Sequence, residues 1–476
     1  MKLKRQSKRS SKSNKLGKYL LVAALCLVAV VMGGKIISFV EKKTTKAANL
    51  ADIVSYLGGS KGQTRTLILF SNNAEMRYGG GFIGSVGYLE AKSTGKVSVD
   101  PIHSVYYYDH RLPIDDSRLE GATPELILMP KIYLRDSGVD LDWKSNARRA
   151  AKLFELESGK KVDNVVMLTP NVVRQLLGIT GPIYLSDYKL TVTQDNFLSK
   201  VQLEVESGTD KQAGKDPKTI LGVLANQLLL RLVESGNIAQ ADDYYRLTKS
   251  MIQQKQLAIY SKNGSMQRKL ESLDMDGGLA PAEGNYLMVA EANMGVNKSS
   301  PFIQQDVSQK VIVDSATGKA RVELTVRRQH NGQYLHQYVD PHDGQTKWLV
   351  GDNASFVKIA VPAGSKVISS SQELSRPSYN ESGRTVYTYF ASIAPGQAHE
   401  FKISYSLPFR YDVSGDVVIR GMVEKPIGSF NQNIQQQVEF EGAKYGAKRG
   451  SLVQGVQQGD AIYEAVFGRS NGLRGL

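Results

Sequence analysis

Two short stretches hold most of the residue types that can do chemistry. In SNNAEMRYGGGFIG, residues 71–84, an acid (Glu75) and a guanidinium (Arg77) stand directly before Gly79, Gly80 and Gly81. Glycines allow positive φ and close backbone approach, so three in a row can turn their N–H groups into an anion-binding concavity. Arg77 adds a fork of donors suited to phosphate. The plainer alternative is a tight connection between strands, pinned by a Glu75–Arg77 ion pair. In YLRDSGVDLDW, residues 133–143, Arg135 and Asp136 are followed by Asp140 and Asp142. Such a set can supply a phosphate ligand and a carboxylate for Mg2+, an ion that favours one or two carboxylates plus substrate phosphates. Here the competing reading is a polar loop whose last aspartate, Asp142, caps the next helix.

Other familiar chemistries are missing. His330, His336 and His342 fall near Asp340 and Asp343, but their spacing fits no zinc pattern and predicts a solvated loop between strands. G-x-S-x-G occurs only as the Gly-rich turn GGSKG at 58–62 and as GRSNG at 468–472, neither of them between a predicted strand and a following helix, and no P-loop or H-E-x-x-H segment occurs. Tyr106 to Tyr108, and Tyr387 with Tyr389, can stack on sugars or fill a core.

The elements that must position these residues change character near residue 300. TRTLILF at 64–70, short, continuous and β-rich, predicts a buried strand. FIGSVGYLEA at 82–91 and KVSVDPIHSVYYY extend it as an antiparallel meander. In KSNARRAAKLFELESG the apolar residues Ala147, Ala150, Ala151 and Phe154 repeat at helical spacing, and Gly159 is placed to end the helix. VDNVVML at 162–168 predicts a strand, followed by Thr169 as N-cap, Pro170 at the first helical position and Gly178 as the stop. Asp216 and Pro217 open a further apolar helix, ADDYYRLTKSMIQQKQLAIY predicts another, and NYLMVAEAN at 285–293 closes this half with a strand. Strands interleaved with helices point to an α/β or α+β layered domain with a mixed sheet, assigned to 64–298. From 299 to 476 the pattern is period-two alternation, as in ARVELTVRR and EFKISYSL, broken by PAGS, NESG and APGQ. That is the signature of a β-sandwich.

The amino terminus predicts where these domains work. Residues 1–18 form a basic arm, and Tyr19–Val40 is an apolar run interrupted only by Lys35. As a helix it is about 33 Å long, enough to span a hydrocarbon core. The positive-inside bias keeps the arm cytoplasmic, puts the bulk of the chain outside, and leaves 41–63 as a juxtamembrane linker. The segment after the run, EKKTTKAANLA, offers poor cleavage sites, which favours a retained anchor over a cleaved signal. Of 60 basic groups nine lie in residues 1–40, against none of the 46 acids, so the outer part is nearly balanced. The net charge of +14 therefore speaks for anionic lipid at the inner leaflet and against nucleic acid. Cys26, the only cysteine, lies in the apolar run, so the outer part forms no internal disulfide.

NNAEMRYGGGFIG, LRDSGVDLDW, VDNVVMLTPNVVRQLLGITGPI and ANMGVNKSSPF, in that order over roughly 64–425, resemble the bacterial family catalogued as domain of unknown function 4012. The resemblance implies an N-terminal anchor, an extracytoplasmic α/β domain and a β-rich carboxyl part. A weaker likeness, carried by VDNVVMLTPNVVRQLLGITGPI, is to the LytR-CpsA-Psr phosphotransferases. Those move glycopolymers from polyprenyl-pyrophosphate carriers onto the cell wall, with arginines on the pyrophosphate and acids on magnesium. Where their first strand opens with Arg, a small residue and Asp, this chain has Arg65, Thr66 and Leu67.

Two functions compete. In one, Arg77, Arg135 and Asp136 form a catalytic set, Glu75, Gly79, Gly80, Gly81 and Lys298 bind the ligand, and Asp136 with Glu75 holds Mg2+. The partners are then membrane lipid, a polyprenyl-pyrophosphate glycopolymer and peptidoglycan. In the other, the same fold is a non-catalytic surface module that contacts wall polymer or a protein. The two differ in whether Arg77 and Arg135 meet in one cleft beside a carboxylate.

Overall fold

TRTLILF becomes β1 (Thr64–Asn72), the middle of a mixed sheet. The computed structural model describes residues 45–469 apart from 95, 113–131, 209, 211–217, 235–240, 282, 340–343 and 443–444. The basic arm, the apolar run at 19–40, the residues Asp216 and Pro217, and Asp340, His342 and Asp343 thus lie outside the described residues. Among the described residues no helix is long and apolar enough to cross a membrane. The chain divides into two units. The first takes the residues through Asn72, Phe82–Val139 and Trp143–Gly278; the second takes Asn73–Gly81, Asp140–Asp142 and everything from Leu279.

In the first unit α1 (Thr45–Leu57) precedes β1, then come β2 (Phe82–Ala91), β3 (Val97–Val99), β4 (His103–Ser104), α2 (Tyr106–Asp109), α3 (Trp143–Ser158), β5 (Asn164–Leu168) and α4 (Pro170–Thr180). They are followed by β6 (Ile183–Leu185), β7 (Leu190–Val192), α5 (Gln202–Ser207), α6 (Thr219–Glu234), α7 (Ala241–Gln253), β8 (Leu257–Ser261) and α8 (Gly264–Glu271). The sheet order is β3-β2-β1-β5-β8, with β4 also on β2. β1 runs antiparallel to β2 and parallel to β5, and the parallel step needs a crossover, which contains α3. Ile68, Val166 and Leu168 on one face share a core with Leu57 of α1, Leu177 of α4 and Leu224 of α6. On the other face Tyr88, paired across from Leu67, stacks on Phe154 of α3 at 5.5 Å. Covering both faces is why β1 and β5 read as continuous apolar runs.

Three local expectations needed correction. Tyr106 to Tyr108 form the helical turn α2 rather than the end of a strand. α4 runs through Gly178 and stops at Gly181, whose φ of 78° is open to a glycine, while a Cβ on Gly178 would lie 2.8 Å from Gln194 Oε1. The long segment read as one helix from Ala241 breaks at Lys255, φ 54°, and LAIYS becomes β8, antiparallel to β5. Sheet burial overrode a pattern that suits either element.

The second unit contains β9 (Asn285–Asn293), β10 (Ile303–Asp314), β11 (Lys319–His330), β12 (Leu335–Val339), β13 (Thr346–Val350), β14 (Asn353–Pro362), β15 (Lys366–Ser370) and β16 (Tyr379–Glu381). β17 (Arg384–Ile393), β18 (Ala398–Arg410), β19 (Val417–Val423), β20 (Gln432–Glu441), β21 (Tyr445–Arg449), β22 (Leu452–Gln457) and β23 (Ala461–Arg469) complete it. Sheets of order β15-β18-β11-β10-β20-β22 and β16-β17-β14-β9-β19-β23-β21 share one core. Val322, Leu324 and Val326 of the first meet residues such as Val357, Ile359, Tyr387 and Tyr389 of the second. NYLMVAEAN, read from sequence as closing the first half, is an inner strand of this second unit. Its odd residues Leu287 and Val289 enter the sandwich core, and its even residues Tyr286, Met288 and Ala290 pack with Tyr78 and Leu141 on the outer face.

Candidate functional site

The loop of Glu75 folds as part of the second unit. Glu75 is buried, and Arg77 Nη2 donates to its Oε1 at 2.9 Å while Lys298 Nζ donates to its Oε2 at 2.6 Å. Arg77 Nη1 donates in addition to the carbonyls of Met76, at 2.9 Å, and Asn293. Burial works against the Glu75 charge, but Lys298 and Arg77 outweigh it and hold the carboxyl below its ordinary range. ANMGVNKSSPF supplies the rest of the hub. Asn293 Nδ2 donates to Ser299 Oγ at 3.0 Å, Asn297 Oδ1 accepts from the Ser299 N–H, and Ser300 Oγ accepts from the Met76 N–H. The first and last segments behind the family resemblance therefore meet, around one carboxylate and two cations.

The glycine run serves backbone packing. Gly80 and Gly81 have φ of 105° and 125°. A Cβ on Gly428 would lie 2.3 Å from the Gly80 carbonyl oxygen and 2.6 Å from its Cα, so two backbones touch where only glycines fit. Asn73 Nδ2 fixes this contact by donating to the Gly428 carbonyl at 2.8 Å. A cavity lined in part by Met76, Glu291, Ser300 and Gln305 offers about 30 Å³. That is room for water, not for a polyprenyl chain.

Arg135 stands in the first unit, in the 3-10 turn Leu134–Asp136. Its Nη1 donates to Asp109 Oδ2 at 2.6 Å, its Nε lies 3.7 Å from Asp136 Oδ2, and its guanidinium rests 4.4 Å from the Tyr133 ring centroid. Asp136 Oδ2 accepts from the Tyr133 N–H. Glu157 of α3 accepts from the Leu134 N–H at 3.0 Å. Asp109 and Glu157 are both buried, and Asp109 Oδ1 and Glu157 Oε2 have no hydrogen-bond partner. Burial raises the Asp109 carboxyl against the pull of Arg135, and burial together with Asp109 pushes Glu157 up to about 8. At neutral pH Glu157 is protonated.

Arg77 and Arg135 are each engaged by a carboxylate of their own unit. The residues nominated for Mg2+ do not fit it: both Glu75 oxygens accept from cations, and Asp136 accepts from backbone and faces Arg135. Among the described residues no group of three or more His, Cys, Asp or Glu is arranged to hold a metal. His330 does not belong to a solvated loop. It is buried at the end of β11, where the Gly332 N–H donates to Nδ1 and Nε2 donates to the Gly351 carbonyl at 3.0 Å. Tyr387 and Tyr389 are core residues, Tyr389 stacking on Phe401 at 4.0 Å.

Residues 61–205 match the model of a family described as Protein of unknown function (DUF4012). The DUF4012 span includes Glu75, Arg77, Arg135 and Asp136 and stops short of Lys298. Its description carries no activity. No curated protein matches the chain. Among solved structures, the Lin1025 protein of Listeria innocua is 12% identical, with 48% of this chain and 86% of that one covered and a TM-score of 0.25. A protein described as nutrient binding from Legionella pneumophila is 10% identical over 40% and 72%, TM-score 0.24, and an M1 zinc metallopeptidase of Deinococcus radiodurans 10% over 35% and 42%, TM-score 0.17. At such TM-scores none of the three bears on fold, chemistry or partner.

Sequence reading singled out Tyr106 to Tyr108 for stacking on sugars or core packing but passed over the cations around them. Tyr106 and Tyr107 are 43% and 44% exposed. His103 stacks on Tyr107 at 4.3 Å, and the Arg111 guanidinium lies 4.0 Å from the same ring centroid. Arg135 and Lys218 stand 5.4 and 5.7 Å from the Tyr106 ring. Arg111 is exposed and has no carboxylate partner among the described residues. The available signal was YYYDHR itself, three aromatics running into a cation.

Proposed function

We propose that this chain is a single-pass membrane protein whose folded units lie outside the cytoplasm and bind a phosphate-bearing envelope glycopolymer without transferring it. Arg111 carries the reading. The Arg111 guanidinium lies 4.0 Å from the Tyr107 ring centroid, and with no carboxylate partner among the described residues its forked donors suit a phosphate. His103 stacks on the same ring, and the Lys218 ammonium stands 5.7 Å from the Tyr106 ring centroid. The basic arm and the apolar run at 19–40 support the location, because the polymers and their lipid carriers are found at that membrane face. The likeness to LytR-CpsA-Psr enzymes suggests the class of ligand. Binding is favoured over transfer because both nominated arginines are occupied by carboxylates and Glu75 is neutralised by cations.

The test is binding of a fluorescent sugar-phosphate wall polymer to the full chain in detergent. Arg111→Ala should weaken binding about tenfold, on the order of 1.4 kcal/mol, and the wild-type affinity should fall as salt rises. An affinity indifferent to both Arg111→Ala and salt removes the proposal. Release of polyprenyl monophosphate from a polyprenyl-pyrophosphate-linked donor, with the polymer phosphate passed to an acceptor hydroxyl, would restore the transferase reading.

A further inference from the structure

The turn that follows β11 brings an imidazole against a peptide nitrogen. Gly332 donates its N–H to His330 Nδ1 at 3.1 Å, and the other ring nitrogen, Nε2, donates to the Gly351 carbonyl at 3.0 Å. With its own proton on Nε2, the ring meets Gly332 with a lone pair. His330 is buried, and Phe302 stacks on it at 6.4 Å between ring centroids. Burial lowers the imidazole below its ordinary range, the Gly351 carbonyl and Asp352 work against that, and Arg328 adds to it, so the ring is neutral at pH 7. A Cβ on Gly332 would lie 2.8 Å from His330 Cε1 and 2.9 Å from Phe302 Cγ, so this approach needs a glycine. The residue between the two is Asn331. Its N–H donates to the Phe302 carbonyl at 2.8 Å, and its exposed side chain donates from Nδ2 to Gln304 Oε1 at 3.3 Å.

An asparagine followed by glycine holds an electrophile, its Cγ, within reach of a nucleophile, the next peptide nitrogen. That nitrogen is inert while it keeps its proton. A carbonyl acceptor cannot remove the proton; a neutral imidazole can. We infer that Asn331–Gly332 is a self-modifying site at which His330 is the general base for conversion of the asparagine to aspartate and isoaspartate. Gly332 N attacks Asn331 Cγ as its proton passes to His330 Nδ1, and the new C–N bond closes a five-membered ring. The bond from Cγ to Nδ2 then breaks, Nδ2 takes the proton back from the imidazolium and leaves as ammonia, and a succinimide remains. Water adds to either imide carbonyl and opens the ring to Asp or isoaspartate. Only solvent water is consumed. The product carries a new carboxylate in the connection between β11 and β12, and its isoaspartate form lengthens the backbone there by one methylene. A second Asn–Gly pair supplies the contrast. Asn263 is the N-cap of α8, its Oδ1 accepting from the Ser265 and Met266 N–H groups at 3.0 and 3.2 Å, and Gly264 is the first residue of the helix. Closing a succinimide there breaks the cap and the first turn.

The test is to warm the full-length protein in detergent and follow, by peptide mass mapping over days, the amide-to-acid mass gain and the isoaspartate isomer at Asn331 and Asn263. Asn331 is expected to convert at least about tenfold faster than Asn263, and about tenfold faster than Asn331 in the urea-unfolded chain, where the imidazole is no longer held on Gly332 N. Its rate should level off at pH values where His330 is fully neutral, while the rates of Asn263 and of the unfolded chain keep rising with hydroxide. His330→Asn offers Gly332 an amide oxygen without basicity, and should slow Asn331 by more than about tenfold while the near-ultraviolet circular dichroism stays that of wild type. Should that variant unfold, the wild-type pH profile and the comparison with unfolded chain decide. An Asn331 that converts no faster than in urea, a rate proportional to hydroxide throughout, or a folded His330→Asn as fast as wild type each overturns the inference.

Discussion

The two charged hubs differ in balance. Around Glu75 one buried carboxylate faces two cations; around Arg135 one cation faces Asp109, Asp136 and the buried Glu157. Each hub came from a motif that reads on paper as acid beside guanidinium. Their protonation nevertheless runs in opposite directions, with Glu75 held ionised and Glu157 held neutral. An acid–arginine pair in sequence therefore says little about charge state until the third and fourth groups are known, and those come from distant segments.

The sharpest way to break the comparison is Glu75→Ala. It removes the buried carboxylate to which the part-buried Arg77 and Lys298 both donate, and a loss of about 3 kcal/mol is expected in the urea stability of the β-rich unit. Hydrogen exchange should rise first in 73–81 and 293–300; an unchanged midpoint would mean the cations find other partners at no cost. Next in size is Gly428→Ala, which forces a Cβ against Gly80 and should cost about 1–3 kcal/mol through strained packing. If that variant is as stable as wild type, the glycine run is free to serve a ligand instead.

Titration sharpens the contrast in sign. The Glu157 carboxyl is raised on folding, so between its unfolded value near 4.5 and about 8 the folded protein binds more protons than the unfolded one. Stability of the α/β unit should therefore fall with rising pH across that window, by at most about 1.4 kcal/mol per unit. Glu157→Gln keeps an acceptor for the Leu134 N–H and should flatten the slope. Glu75 behaves oppositely: its carboxyl is lowered, so its contribution is present above its unfolded value and is lost as pH falls through the folded one. Parallel pH profiles for the two units, followed by hydrogen exchange, would refute the opposition. The smallest stability effect is expected from Arg111→Ala, within about 0.5 kcal/mol, since the guanidinium is exposed and has no carboxylate partner among the described residues.

Much of the fold was legible because burial repeats at regular spacing. The spacing of Ala147, Ala150, Ala151 and Phe154 places α3, and continuing that stripe one turn on reaches Glu157, an acid where an apolar residue is due. That was the readable sign of a buried carboxyl. Period-two alternation gave the strands of the sandwich for the same reason. The helix-to-strand break at Lys255 and the helical turn at Tyr106 were not legible, because each depends on what the neighbouring chain covers.

By itself the sequence determined an α/β part followed by a β-rich part, an apolar run of membrane-spanning length, and the motif residues on which the hubs are built. Those follow from local patterns, which need no partner to be recognised. Tertiary structure alone decided that Lys298 completes the Glu75 hub, that Asp109 and Glu157 surround Arg135, that the loop at 73–81 folds with the β-rich unit, and that Arg111 keeps its charge exposed. The reason is range. The charge on a buried group is set by whatever lies within a few ångströms of it, and here those neighbours lie from tens of residues to more than two hundred away along the chain.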